Sequence, residues 1–166
     1  MRWFWVDRFI GFKPGKSATA VKNVSLAEEH VHDHFPGYPV HPQSLMIEGM
    51  AQTGGVLVGQ AFNFEEKVIL AKIGRATFHR LVRPGDQIVY HAEVVDEIRP
   101  EGASIRGTIT CDGQLVADIE LMFVHLDKSM SGEDFGDDNF VFSADFVELL
   151  RMRELAQQFA AADGDK

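Results

Sequence analysis

The longest apolar segment of the chain runs from Leu45 to Phe62, and only a few polar side chains interrupt it. A helix that is apolar on nearly every side is buried inside a protein and does not lie on its surface. The preceding segment HFPGYPVHP, residues 34–42, contains three prolines and one glycine. Because proline fixes its own φ and disfavours helix at the residue before it, we expect a rigid loop that leads into a buried helix.

Apolar and polar residues alternate on both sides of this helix, which is the pattern of half-buried β-strands. Residues 3–24 predict a hairpin that turns at Pro14-Gly15, and residues 25–33 are typical of a polar connector. Four further strands are expected after the helix, at residues 67–80, 87–98, 103–111 and 114–125. Asp112-Gly113, between the last two strands, is a strong signal for a two-residue hairpin.

One apolar helix and a mostly antiparallel sheet predict an α+β domain in which the sheet wraps around one long buried central helix. This arrangement is the hotdog fold, and we assign it to residues 1–126. From residue 127 the sequence becomes acidic and contains glycines, and apolar spacing from Phe146 to Phe159 then predicts an amphipathic helix. Residues 127–166 are therefore expected to form an acidic linker and a C-terminal helical extension.

Composition narrows the class of protein further. A chain of 166 residues with 45% hydrophobic residues can bury a core, and it has no apolar run long enough to cross a membrane. The single cysteine, Cys111, suits a reducing compartment, so we expect a cytoplasmic location. The net charge of −9 lies entirely in residues 101–166, which argues against nucleic-acid binding because that requires a basic surface.

Two polar side chains, Glu48 and Gln52, stand four residues apart in the apolar helix and therefore share one face. A carboxylate in a buried helix needs a partner or a chemical role. His34, on the proline-rich loop, is the candidate partner, because a histidine can accept a proton while a carboxyl donates one. This pair suits the removal or addition of water beside a carbonyl. Backbone N–H groups of Gln43 and Ser44, at the helix N-terminus, could stabilise the developing enolate.

The spacing of these residues also bears on the number of chains at the site. Glu48 lies about 9 Å along the helix axis from Pro42, at ~1.5 Å per residue. A site shared by two subunits would bring His34 of one chain to Glu48 of the other.

Four segments of the chain occur in a recognisable order: VDRFIGFKPGKSATAVKNVS from Val6, HFPGYPV from His34, IEGMAQTGG from Ile47 and RPGDQ from Arg83. In these segments the chain resembles the hotdog-fold (3R)-hydroxyacyl-acyl-carrier-protein dehydratases of bacterial fatty-acid synthesis. The resemblance covers residues 4–125. It implies that His34 and Glu48 are the catalytic pair, which removes water from a (3R)-3-hydroxyacyl thioester to give a trans-2-enoyl thioester.

The same resemblance implies the other properties of the site. Gln52 would orient the Glu48 carboxyl, and the substrate-binding residues would be Gln43, Ser44, Gln52, Gly37 and Phe35. The substrate would be a thioester of acyl carrier protein or coenzyme A, and no metal or redox cofactor would be used. The protein would be a homodimer with two shared active sites. In this family such dimers often assemble further into hexamers.

Three positions depart from the family pattern. Gln43 and Asp33 stand where glycine is usual or common, and His41 stands where a bulky apolar residue is usual. Gln43 keeps the N–H that would polarise the thioester carbonyl, but its side chain crowds the mouth of the site. We expect His41 and His79 to be polar residues at the rim.

Alternative functions use some of the same residues. In a hotdog thioesterase, the helix carboxylate would activate water, and no histidine on the loop would be needed. In a non-catalytic acyl-thioester-binding subunit, Gln43 would fill the pocket and the acidic tail would recruit a partner. His30, His32 and His34 alternate, and on a strand they could together hold Zn²⁺, although no cysteine or carboxylate stands at ligand spacing beside them.

Overall fold

The computed structural model describes residues 3–65 and 67–126. These residues form two helices, α1 (Glu29–Asp33) and α2 (Gln43–Gln60). They also form six strands, which are β1 (Arg8–Lys13), β2 (Ser17–Asn23), β3 (Lys67–Phe78), β4 (Gln87–Val94), β5 (Gly102–Cys111) and β6 (Gln114–Leu126). The acidic linker and C-terminal helix predicted for residues 127–166 lie outside the described residues.

The six strands form one sheet in the order β1-β2-β4-β5-β6-β3, and every neighbouring pair is antiparallel. The turn between β5 and β6 places Asp112 at φ 51° and Gly113 at φ 75°. Two consecutive residues with positive φ are what a two-residue hairpin of the favoured twist requires, so this predicted turn is confirmed. Strand β3 follows α2 and lies at the edge of the sheet, beside β6.

Helix α2 is the centre of the domain and packs against strands β2 to β6. Its side chains Met46, Met50, Val56, Leu57 and Val58 are completely buried. The predicted α+β, hotdog-like architecture, a central helix packed on an antiparallel sheet, is therefore confirmed. In the part of the chain that the structure describes, no helix is long and apolar enough to span a membrane.

The structure differs from the sequence predictions at three places. The connector at residues 25–33 contains the short helix α1, because Val31 is completely buried and anchors it to the core. Strand β4 ends at Val94, earlier than predicted, where the chain bends before the next turn. Residues 3–7 precede β1 and do not extend it, since Trp3 and Trp5 make their backbone hydrogen bonds with a side chain of α2.

Helix α2 approaches the sheet closely at Gly49. A Cβ atom at this position would lie 2.5 Å from both Cζ and the hydroxyl of Tyr90, and 3.0 Å from the carbonyl oxygen of Trp5. Favourable contacts between carbon atoms begin at about 3.5 Å. Tyr90 is completely buried, so its ring is surrounded by other protein atoms. Gly49 therefore sets the distance between the helix and β4.

Replacing Gly49 by alanine should destabilise the protein. We expect a loss of about 1–3 kcal/mol in the free energy of unfolding, because overpacking outweighs the better helix propensity of alanine. Gly54→Ala is the matched control, since its Cβ would meet the side chains of Phe123 and Ile105 at the longer distances of 3.2 and 3.3 Å. Urea unfolding measures both variants, and equal stabilities would contradict a special constraint at Gly49.

Candidate active site

The loop that carries His34 is held in a non-helical conformation, as predicted. The backbone N–H of His34 donates to the carbonyl oxygen of His30 at 3.1 Å and closes the end of α1. Phe35 has a φ of 63°, which is uncommon for a residue with a side chain, and Gly37 has a φ of 78°, which suits glycine. The side chains of His34 and Phe35 are both exposed.

The far side of the loop is fastened to the turn that follows β3. The guanidinium of Arg83 donates to the hydroxyl of Tyr38 and also lies 4.8 Å from the centre of its ring. The backbone N–H of His41 donates to the carbonyl oxygen of Val82 at 2.8 Å. Asp86 stabilises the turn by accepting the backbone N–H of Arg83 at 2.9 Å. The loop is thus attached at more than one point along its length.

The N-terminus of α2 presents free backbone donors at the end of this loop. Pro42 is the N-cap residue, and no side chain of residues 3–65 or 67–126 caps the helix. Gln43 and Ser44 are the first residues of the helix, so their N–H groups have no partner within it. Both residues are exposed. The helix dipole places partial positive charge at this end, which suits a ligand atom that gains negative charge.

Gln52 joins Glu48 to the N-terminal segment of the chain. Its Nε2 donates to a carboxylate oxygen of Glu48 at 3.1 Å and to the carbonyl oxygen of Trp3 at 2.8 Å. Its Oε1 accepts the backbone N–H of Trp5 at 2.9 Å. Gln52 is buried and Glu48 is half-buried. These three contacts fix the orientation of the amide, and the amide in turn holds one oxygen of the carboxylate.

The single chain brings Glu48 and Gln52 together but does not join either to His34. Among the described residues, no hydrogen bond or ion pair connects the His34 ring with the Glu48 carboxylate. The His34 ring instead lies 4.6 Å from that of Phe35. The contacts of Gln52 with Trp3 and Trp5 were missed in the sequence, because they involve backbone groups and leave no pattern in the side chains.

His41 is buried, with 2% of its surface exposed, so its prediction as a rim residue was wrong. Its Nδ1 lies 3.2 Å from Nε2 of His30, and the ring of Trp5 packs edge-on against His30. Burial lowers the pKa of His41 to about 4, and the nearby His30 and Lys22 act in the same direction. His41 is therefore neutral at pH 7. Lys22 is itself buried and pairs with Glu28 at 2.6 Å.

The three alternating histidines do not form a shared face. His30 and His32 belong to α1 and His34 follows it, whereas the zinc alternative required all three on a strand. His32 is exposed, and His30 is directed towards His41. His79 is partly exposed and lies 2.9 Å from Asp118, as a polar surface residue would.

Comparisons with known proteins agree on one family. The FabA-like domain family matches residues 3–120. The 3-hydroxyacyl-[acyl-carrier-protein] dehydratase FabZ of Nitratiruptor sp. is 42% identical over 130 residues, which are 74% of this chain and 87% of that protein. The protein of the same name from Thiobacillus denitrificans is 42% identical over 127 residues, with the same two coverages.

Solved structures agree on the fold. The dehydratase heterocomplex ApeI:P from Xenorhabdus doucetiae superposes with a TM-score of 0.64 and covers 76% of this chain and 86% of that chain. Its sequence is 16% identical, so this likeness shows the fold alone.

The buried His41 should make stability depend on pH. Its pKa is about 4 in the folded chain against an ordinary 6.5, so the unfolded chain binds more protons between these values. The free energy of unfolding should therefore fall as the pH falls. His41 alone should contribute about 2 kcal/mol to the loss between pH 7 and pH 5. Urea unfolding at equal protein concentration measures it. An equal loss in His41→Leu would contradict a buried neutral histidine.

Proposed function

The chain belongs to the FabA-like family and, within it, to the FabZ-type 3-hydroxyacyl-acyl-carrier-protein dehydratases, and we propose that His34 and Glu48 carry its catalysis at a site shared by two copies. The observation that carries this proposal is the carboxylate of Glu48, which Gln52 holds on a largely buried helix. A carboxyl group held in one orientation in this way is suited to act as a positioned proton donor. The substrate is a 3-hydroxyacyl thioester carried on acyl carrier protein, as the names of the relatives state for those proteins, and the family resemblance adds the 3R configuration and the role in fatty-acid synthesis.

The reaction needs one base and one acid. The neutral imidazole of His34 removes a proton from C2 of the substrate, and the electron pair moves towards the thioester carbonyl as an enolate. The protonated carboxyl of Glu48 donates its proton to the C3 hydroxyl. Water leaves from C3 as the C2–C3 double bond forms, which gives the trans-2-enoyl thioester. His34 has gained one proton and Glu48 has lost one, so proton exchange with solvent restores both.

Backbone groups at the start of α2 suit the developing negative charge. We propose that the N–H groups of Gln43 and Ser44 face the thioester carbonyl, where the dipole of α2 adds to their effect. Phe35 and Gly37 would line the entrance of the proposed active site. The exposed ring of Phe35 offers apolar contact, and the space beside Gly37 is open. The uncapped helix N-terminus supports this assignment.

A second copy of the chain would supply the missing partner at each site. Within one chain, as described above, the His34 ring and the Glu48 carboxylate are not joined. Strand β3 lies at the sheet edge and is twelve residues long, and it exposes Ile69 and Ile73. A long edge strand with apolar side chains is a template for pairing with another chain. We therefore propose a homodimer, and light scattering would distinguish it from the hexamer that the family resemblance also allows.

Removing either member of the pair should abolish most of the activity. For His34→Ala and Glu48→Gln we expect a rate about 10²- to 10⁴-fold lower in the hydration of an enoyl thioester, because each change removes one proton-transfer group. Loss of the enoyl absorbance measures the rate. His32→Ala is the matched control, since His32 is an exposed histidine of the same segment.

Three outcomes would contradict the assignment. A wild-type rate in His34→Ala would exclude this histidine as the base. Release of free thiol from an acyl thioester, measured with a thiol reagent at a rate that matches hydration, would favour the thioesterase alternative. If the wild-type protein binds the thioester without turnover and Gln43→Gly restores the reaction, the acyl-binding alternative is supported.

Mixed dimers test whether two chains share each site. A dimer of one His34→Ala chain and one Glu48→Gln chain has one site with both groups intact if the site is shared. Co-expression with two different tags isolates this mixed dimer, and we expect about half the wild-type activity, because subunits in an isologous dimer contribute equivalent sites. Activity no higher than that of either parent variant would place both residues of a site in one chain.

A further inference from the structure

We infer that His41 is a positioning residue, which acts through its hydrogen bond with His30 to hold the loop that carries His34 against the start of α2. This inference rests on the proposed function, because it concerns how the base and the backbone donors of that reaction are placed relative to each other.

The contact between His30 and His41 closes the base of the loop. Nε2 of His30 lies 3.2 Å from Nδ1 of His41, across eleven residues of sequence. The backbone carbonyl of His30 accepts the N–H of His34 at 3.1 Å. His41 directly precedes Pro42, the N-cap residue of α2. One side-chain contact therefore links the residue that fixes the backbone of His34 with the residue that precedes the helix donors.

The burial of His41 determines which ring nitrogen carries the proton. Its Nε2 is buried and has no hydrogen-bond partner within the described ranges 3–65 and 67–126. A buried N–H without an acceptor is the rarer and more costly state, so we assign the proton to Nδ1. His41 then donates to Nε2 of His30, and His30 must carry its own proton on Nδ1. The hydrogen bond in this form requires the ring of His30, which supplies the acceptor nitrogen, to be neutral.

The surrounding charges favour the neutral pair. Lys22 on β2, Glu28 before α1, and His30 and His34 at either end of α1 are the groups that act on His41. Burial lowers the pKa of both His30 and His41, and the charge of Lys22 lowers both further. Glu28 acts in the opposite direction, but its carboxylate is paired with Lys22 at 2.6 Å. The pair is therefore neutral at neutral pH and is lost in acid.

Trp5 packs on this pair and also supports the carboxylate. Its ring lies edge-on to His30 at 4.9 Å and is 6.1 Å from the ring of His41. Its backbone N–H donates to Gln52, which holds Glu48. The histidine pair is thus part of the same packed unit that orients the acid, which adds to the case for a positioning role.

Four variants separate the hydrogen bond from the space that the rings fill. His41→Leu and His30→Leu remove the bond but keep an apolar side chain in place. His41→Asn keeps a polar atom near the δ position, and His30→Gln keeps one near the ε position. For the leucine variants we expect kcat about 10- to 100-fold lower with little change in KM, because the base and donors are misplaced. The amide variants should recover most of kcat.

A double variant and a spectroscopic readout complete the test. His30→Leu/His41→Leu should be no slower than either single variant, since all three lack the same bond. Proton–carbon NMR of the histidine rings, with His34 assigned by His34→Gln, should show a changed His34 signal in His41→Leu but not in His41→Asn. Thermal unfolding measures the folded fraction of each variant.

The outcomes for this inference and for the proposed function differ. Wild-type kcat and an unchanged His34 signal in His41→Leu would overturn the positioning role, even if His34→Ala is inactive. A loss of activity that only follows the folded fraction, with the His34 signal unchanged, would overturn it as well. If His34→Ala keeps its rate, the proposed catalytic pair fails, and the NMR comparison still decides whether His41 positions the loop.

Discussion

The close approach of α2 to the sheet at Gly49 is the constraint on which the rest of the structure depends. The ring of Tyr90 and the carbonyl of Trp5 occupy the space that a side chain would need there. Glu48 and Gln52 flank Gly49 on the same helix. The distance between α2 and the sheet therefore determines the positions of their side chains. Trp5 contacts the helix at two places: its carbonyl oxygen lies beside Gly49, and its N–H donates to Gln52, about one turn further along α2. The packing of the core and the orientation of the carboxylate are therefore set by the same contact.

Buried polar groups around the site are arranged in pairs. Lys22 pairs with Glu28, His30 with His41, and Gln52 with Glu48 and the backbone of the N-terminal segment. Burying a polar group is costly unless its hydrogen bonds are made, and each of these pairs supplies at least one such bond. The side chains of His34 and Phe35 lie in the accessible layer above them. The site thus combines hydrogen-bonded polar pairs, which are largely buried, with exposed side chains that a substrate can reach.

Much of the fold was predictable because local patterns decide it. The all-round apolar character of α2 and the Asp112-Gly113 turn each have a single structural interpretation, and the four-residue spacing of Glu48 and Gln52 placed them on one face. Helix α1 was not predictable, since five residues do not form a stable helix alone and the burial of Val31 holds them in place. The burial of His41 was not predictable either, because its partner His30 is brought to it only by the folded loop.

The contacts of Gln52 with the extended N-terminal segment have a consequence for comparing and engineering such chains. Both bonds are made by peptide groups, at residues 3 and 5, so the identities of these residues can change without loss of either bond. Adding or deleting one residue between them and β1 would turn these peptide groups away from Gln52, since successive residues of an extended chain face opposite ways. The two bonds to Gln52 therefore depend on the length of this stretch, whereas the packing of the Trp5 ring on His30 depends on the identity of that residue. In an alignment of related chains, a gap placed here would carry more information than any mismatch.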